Sequence, residues 1–211
     1  MRITVALRLL IPFLLLLLYR QAMGETTSIS IRYEPTIPLP GLQEKLGRTL
    51  GLAPSQDKRQ RPLYVGHHTP LRGSTLYLKS DPFPLEDAIE KALAQTLPRY
   101  GVNTVPVSDW DGQADSLPLM EVDSVLTIEV RKCWVGGWAI SRRTKVKASI
   151  SIIIHLGIKK ERTVFTSRLF GIKETTLSRW TPRAAGETLN EILTEVLDSF
   201  LANPYGTGSS F

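Results

Sequence analysis

Three histidines, one cysteine and a small group of aspartates carry the most obvious chemistry in this 211-residue sequence, and their spacing limits what they can do. His67 and His68 are adjacent. Neighbours on a strand point to opposite faces, so the pair does not converge on a metal and reads as ordinary loop residues. His155 falls on the polar side of an alternating run, where a solvated imidazole is the simplest expectation. Asp109, Asp111 and Asp115 suggest paired carboxylates or a calcium loop. The acidic spacing and closing glutamate of a calcium loop are missing, and a soluble loop accounts for them better. No Gly-x-Ser-x-Gly turn is present to present a serine nucleophile. Cys133 follows Arg131 and Lys132, cations that would lower a thiol pKa if the sulfur were exposed, but a lone cysteine on a strand is usually inert. These residues predict no catalytic group, no metal site and no cofactor.

A contact surface has better support. In Arg131-Lys-Cys-Trp-Val-Gly-Gly-Trp-Ala-Ile-Ser-Arg-Arg143, two tryptophans flank a Gly-Gly pair and cations flank both. At a hairpin tip, Trp134, Trp138, Arg142 and Arg143 would form the aromatic and basic surface favoured in interaction hot spots and at membrane interfaces. The other reading continues the even-numbered core face begun at Leu126, which would bury both indoles.

The start of the chain has the three parts of a secretory signal peptide. Arg2 and Arg8 supply a basic end, Leu9–Tyr19 an apolar run interrupted by Pro12, and Ala22-Met23-Gly24 a small-residue exit. The run is about half the roughly 20 residues that cross a bilayer as a helix, so cleavage after Gly24 is expected rather than a permanent span. Glu25 stands where a lipoprotein signal places its cysteine, so lipid attachment there is not expected. The chain carries 26 Lys and Arg against 20 Asp and Glu. Arg2, Arg8 and Arg20 lie in the leader, and the remaining excess is too small to suggest nucleic acid. One cysteine cannot make an internal disulfide, so the fold must rely on its core.

Alternation predicts a first strand over 26–33, with Ile29, Ile31 and Tyr33 on one face. Prolines, glycines and a polar run make 35–62 an irregular connection, with a short helix at Leu42–Leu50. Short strands are expected at 63–65 and 75–78, then a helix from Leu85 to Leu97 and a strand at 102–107. Three further runs alternate: 126–131, 145–156 and 162–177. In the last, Phe165 and Leu169 share one parity while Phe170 and Ile172 take the other, which suggests a bulge near Gly171. Thr181 as N-cap and Pro182 at the first helical position open a closing amphipathic helix that runs to Phe200. The expected architecture is α+β: an antiparallel sheet, made of a three-stranded meander plus N-terminal strands, with two amphipathic helices packed on one face. Residues 25–203 form its single domain and 204–211 a flexible tail.

Three segments, FPLEDAIEKALAQTLPRYGVNTV, SVLTIEV with the alternating KVKASISIII, and AAGETLNEILTEVLDSFLAN, give an order of elements over Phe83–Asn203 that resembles the YajG-type family of small Gram-negative envelope lipoproteins. It is also similar to the auxiliary lipoproteins of ABC-type lipid transporters. The missing lipobox cysteine departs from both. The resemblance implies an exported, non-enzymatic accessory protein of the periplasm or outer-membrane periphery. Its partner would be an envelope protein complex or lipid transporter, with peripheral membrane contact and no nucleic acid. Two alternatives stand beside it. One is a periplasmic enzyme acting on cell-wall or lipid substrates, which needs the acidic loop and the histidines in one cleft. The other is a structural subunit of a surface assembly, favoured if Ser28–Tyr33 is an unpaired edge strand.

Overall fold

The computed structural model describes residues 25–108 and 110–205. Residues 1–24, where the signal peptide is expected, Asp109 and the last six residues lie outside them. In chain order the elements are β1 (Thr26–Ser30), α1 (Leu42–Leu46), β2 (Thr49–Leu52), β3 (Gln56–Asp57), β4 (Gly66–Thr69), β5 (Leu76–Asp81), α2 (Leu85–Thr96), β6 (Asn103–Pro106), β7 (Ser124–Ile140), β8 (Arg143–Ile158), β9 (Thr163–Leu177) and α3 (Pro182–Ala202).

β7 organises the rest. Along one side it pairs with β8 from Ser124↔Ile158 to Ile140↔Arg143, and β8 pairs antiparallel with β9 in turn. Along its other side three short strands dock in succession, all parallel to it: β2 at Ser124–Leu126, β3 at Glu129–Val130 and β4 at Val135–Trp138. β6 extends β2 in parallel, β5 pairs antiparallel with β4, and β1 lies parallel to β5. The result is a mixed nine-stranded sheet with three helices, which overturns the expected antiparallel meander with two helices. The supposedly irregular stretch 35–62 holds α1, β2 and β3. Strands of two to four residues are too short to show alternation, and their partners are remote in sequence. Leu42 and Leu46 do share a helix. At Gly47 (φ 84°) the chain turns out of it, so Leu50 reaches the core from β2 instead.

The core lies between one face of the sheet and the helices. From α2 it takes Leu85, Ala88, Ile89 and Leu93, from α3 Ala185, Leu189, Leu193 and Leu197, and from β8 every even position from Val146 to Leu156. The alternation read in 145–156 is this pattern. Ile29, Ile31 and Tyr33 enter the same core. On the opposite face, near the start of β7, the 107–122 segment folds over the sheet and buries Leu117 and Val122 against Ala53 and Val125. Among the described residues no helix lies over the remainder of that face.

β9 is not bulged. Its register with β8 is unbroken from Thr163 to Leu177, and Phe170 and Ile172 stay on the open face, 42% and 56% exposed. The bulge sits in β7 instead, where the register shifts between Val130 and Lys132 and leaves Arg131 as the extra residue.

Two carboxylates tie together segments far apart in sequence. Asp123, ahead of β7, accepts from the amides of Arg48 and Thr49 at 2.8 and 2.9 Å and from the Thr49 hydroxyl at 3.0 Å. These bonds, led by Thr49, hold its carboxyl below the ordinary range. Asp198 is buried on α3, where one oxygen accepts from the Tyr33 hydroxyl at 2.8 Å and the other from the Thr36 amide and hydroxyl at 2.9 and 2.8 Å. Burial, then this bond, pushes the Tyr33 phenol well above its ordinary value. The tail is not loose as far as Tyr205, whose hydroxyl donates to the Lys45 carbonyl at 2.6 Å and whose ring meets Phe165 at 4.9 Å.

Removing Asp198 strands a buried hydroxyl and frees the segment after β1. Asp198→Ala is expected to cost about 3 kcal/mol in urea unfolding. Tyr33→Phe, which leaves both Thr36 bonds in place, should cost about 1 kcal/mol.

Candidate partner-binding face

The extra residue in β7 decides where the two tryptophans go. Before it, Leu126, Ile128 and Val130 face the core; after it, Cys133 and Val135 do, all nearly fully buried. The parity has switched, so Trp134 and Trp138 stand on the uncovered face. Trp134 is half-buried and Trp138 is 40% exposed. The reading that continued Leu126's parity into both indoles fails at Arg131.

The two glycines between them each make room for an aromatic ring, one on either face. A Cβ at Gly136 would lie 2.5 Å from Trp138 Cη2, so the indole lies flat over that position, along the strand toward Trp134. A Cβ at Gly137 would meet Trp180 Nε1 at 2.9 Å on the core side, where Trp180 stacks on His68 with ring centroids 4.1 Å apart. The two histidines diverge as strand neighbours must. They lie in β4 rather than in a loop. His67 joins the open face, its ring 5.5 Å from Trp134 and 5.6 Å, edge-on, from Trp138. Burial, and then Arg61, lower its pKa, so near neutral pH it is an uncharged ring among rings. Across the ladder from His67, Tyr77 stacks at 4.8 Å on Tyr64, and Lys79 Nζ lies 5.9 Å from the Tyr64 ring.

The aromatic strip is bordered by cations. A groove of about 630 Å³ beside Trp134 and His67 is lined by Lys58, Arg61, Arg131 and Lys132. Arg59 is not available to it. Its guanidinium forms a buried ion pair with Asp57 at 2.6 Å and also donates to the carbonyls of Tyr64, Pro62 and Cys133, pinning the 58–65 loop to β7. On the far side, Lys145 and Lys147 both reach Glu174 at 2.8 Å, and these bonds, Lys145's first, hold its carboxyl down at about 2. Ile172 and Phe170 continue the apolar surface beyond Ser149 and Ser151. The described face thus carries Tyr77, His67, Trp134, Trp138 and Ile172, with lysines and arginines around them.

Arg142 and Arg143 are exposed at the β7–β8 turn, whose Ser141 has φ 55°. They do not share a site with Trp134. Six residues of strand separate them, roughly 20 Å. The four residues expected to form one surface therefore divide between a sheet face and the end of the sheet. Tyr64, Tyr77, His67, Phe170 and Ile172 were not identifiable as members of the face. Only long-range pairing brings their strands beside Trp134.

The other candidates are dispersed. Asp111 accepts from Ser116 Oγ at 2.6 Å and from the Gln113 amide at 2.9 Å, bonds that lower its pKa within an ordinary exposed turn. That turn packs by Trp110 and Leu117 over Gly157, opposite Val125, whereas the histidines pair beside Gly136 and Gly137 about ten residues further along β7. Asp109 lies outside the described residues. His155 is half-buried, with Nδ1 2.9 Å from Thr166 Oγ1 and Nε2 3.5 Å from Glu129. Among the described residues no three His, Cys, Asp or Glu side chains are placed to hold a metal ion. Cys133 faces the core, and desolvation pushes its thiol up to about 12, outweighing the opposite pull of Arg59.

No protein-family model and no curated protein matches the sequence. Among solved structures the chain is similar to protein XCC0632 from Xanthomonas campestris, of the DUF330 family, at 15% identity over 86% of this chain and 95% of that one, TM-score 0.50. Looser likenesses are lipoprotein GNA1162 from Neisseria meningitidis (10% identity, 72% of this chain and 99% of that one, TM-score 0.36) and a neuraminyllactose-binding hemagglutinin homolog from Helicobacter pylori (11%, 72% and 83%, TM-score 0.40). The likeness to XCC0632 is one of fold. None of the three singles out the YajG-type family.

A buried, protonated thiol should ignore alkylating reagents. The native protein at pH 8 is expected to leave Cys133 unmodified, and denaturant should expose one reactive thiol. Rapid native labelling would place Cys133 at the surface.

Proposed function

We propose that this chain is an exported, non-enzymatic accessory protein of the cell envelope, and that it binds an envelope protein complex through the open face of the β7–β9 sheet. The observation that carries the reading is the turning of Trp134 and Trp138 out of the core at Arg131, onto a face that already holds His67, Tyr77 and Ile172. Large rigid rings in a row, half exposed and ringed by cations, suit a protein partner. Aromatic side chains bury a large rigid area at low conformational cost, and arginine adds a planar fork of donors, which is why both are enriched among the residues that carry contact energy. The leader Leu9–Tyr19 with its Ala22-Met23-Gly24 exit supports the location, and the fold shared with XCC0632 is consistent with it.

The enzyme alternative loses the constellation it depended on, since the described aspartates of the loop and the two histidines sit far apart along β7. A structural subunit of a surface assembly keeps one specific observation in its favour. β9 is fifteen residues long and, among the described strands, pairs only with β8. The outer edge of β1, the condition first set for that reading, is partly closed by Asn190 of α3, which takes the Ser30 carbonyl and the Arg32 amide.

Trp138→Ala with Arg142→Ala tests the face and the turn together. Both side chains are exposed, so the melting temperature should stay within about 2 °C of wild type. A photo-crosslinker at Ile172 should give a discrete adduct with one envelope protein in the native host, weakened at least tenfold by the double substitution. An equal loss of folding would return Trp138 to a structural role, and an unchanged adduct would remove it from the contact.

A further inference from the structure

The end of the sheet beyond Trp138 carries a second surface, different in composition from the face. The β7–β8 turn brings Ile140, Arg142 and Arg143 to this end, with Ile140 58% exposed. β4 runs parallel to β7, with Thr69 level with Trp138, so the residues after it, Leu71 and Arg72, emerge at the same end. Leu71 is 63% exposed and Arg72 is exposed. β9 finishes here as well, Leu177 lying opposite Thr144, and the exposed Arg179 follows. None of Arg72, Arg142, Arg143 and Arg179 has a carboxylate among its described ion-pair partners. Two acids near this end are engaged, Glu174 by Lys145 and Lys147 and Glu187 by Arg183, and a third, Glu25, is exposed. Four unpaired guanidiniums beside two exposed branched aliphatic side chains are the composition of a surface that meets an anionic interface.

The path of the N-terminus is an independent observation. β1 is parallel to β5, Thr26 level with Tyr77, and β5 is antiparallel to β4, Tyr77 level with His67. Followed backwards, β1 therefore runs toward the same end. The Glu25 carbonyl accepts from the Tyr77 amide at 2.8 Å. That row is about three residues of strand, roughly 10 Å along the strand direction, short of the level of the β7–β8 turn, and β1 lies three strands, roughly 14 Å, across the sheet from β7. The 24 residues ahead of Glu25, with their apolar run Leu9–Tyr19, thus join the fold at the same end of the sheet as Leu71, Ile140 and the four arginines.

We propose that this end of the sheet is a contact surface for an anionic phospholipid bilayer: Arg72, Arg142, Arg143 and Arg179 meet headgroup phosphates, and Leu71 and Ile140 enter the interface. During export the leader delivers the domain with this end toward the lipid, and the arginines keep it there after the leader is removed. The sheet then stands off the surface, and its open face, at right angles to the lipid, is free for a partner. The proposal rests on the envelope location argued above, and on no particular partner of the face.

Flotation of the exported protein, its N-terminus established by mass spectrometry, with vesicles of phosphatidylcholine alone or with 30 mol% (on the order of a bacterial anionic content) phosphatidylglycerol tests it. Binding is expected only with phosphatidylglycerol and should fall steeply as salt rises. The variant Arg72→Ala with Arg142→Ala and Arg143→Ala should bind roughly 100-fold more weakly, the loss expected for three cations leaving an anionic surface. Lys132→Ala with Trp134→Ala on the face should bind as wild type. Equal binding of wild type and the triple variant, or equal binding to both vesicle types, would overturn the proposal. A loss in the Lys132 and Trp134 variant alone would move the lipid contact to the face. The Ile172 adduct measured with Trp138→Ala alone, which leaves Arg142 and the rest of this end intact, separates loss of the partner face from loss of the lipid contact.

Discussion

Arg131 has no partner in the ladder between β7 and β8, and the arrangement of both sheet faces follows from that misfit. An antiparallel pair carries side chains to alternate faces with a strict period of two, so one surplus residue exchanges the faces for everything beyond it. Without the exchange, Trp134 and Trp138 would be driven into a core already filled by α2 and α3, and Cys133 and Val135 would be turned to water. With it, small side chains face the helices along the upper half of β7 and the indoles lie outside. The Gly-Gly pair completes the arrangement. Gly136 gives Trp138 a flat bed on one side, while Gly137 admits the Trp180–His68 stack on the other. An alanine at either position would push a ring off the sheet.

The same strand settles how the two kinds of surface are divided. At its start, the 107–122 segment buries the outer face under Leu117 and Val122. At its middle, the face is open and aromatic. At its end, the sheet finishes in arginines and isolated aliphatic side chains. A partner at the face and an anionic layer at the end would meet the molecule at right angles, and the buried Arg59–Asp57 pair holds the loop between them to the Cys133 carbonyl. Buried ion pairs of this kind seldom add much net stability, but removing one partner leaves the other uncompensated. Here the guanidinium also donates to the carbonyls of Tyr64, Pro62 and Cys133. The loop that lines the groove is therefore part of the fold rather than an appendage to it.

Much of this was readable where the period of the sequence matched the period of the structure. The even positions of 145–156 and the stripe from Ala185 to Phe200 are the core faces of β8 and α3, and Thr181 does cap its helix, accepting from the Ala184 amide at 3.1 Å. β2, β3 and β4 were not readable, because two to four residues cannot show a period, and parallel partners 70 residues away leave no local mark. The parity conflict in 162–177 was a true signal attached to the wrong cause. Phe170 and Ile172 break the pattern because they are exposed apolar residues on the open face, not because β9 is bulged. Trp134 and Trp138 were recognised as unusual, yet their side of the sheet depended on a bulge that one extra arginine leaves invisible in the sequence. The acidic loop and the histidines could be separated only by seeing where along β7 each one docks.

The central claim is that Trp134 and Trp138 lie on the open face of the sheet while Trp180 packs on the core side, stacked on His68. Hydroxyl-radical footprinting resolved to single residues tests it directly. Trp138 should oxidise fastest, Trp134 at an intermediate rate, and Cys133 and Val135 as slowly as the core residues Ile150 and Ile152. Protection of both Trp134 and Trp138 to the level of that core, with Cys133 oxidised in their place, would contradict the bulge at Arg131 and the contact surface built upon it.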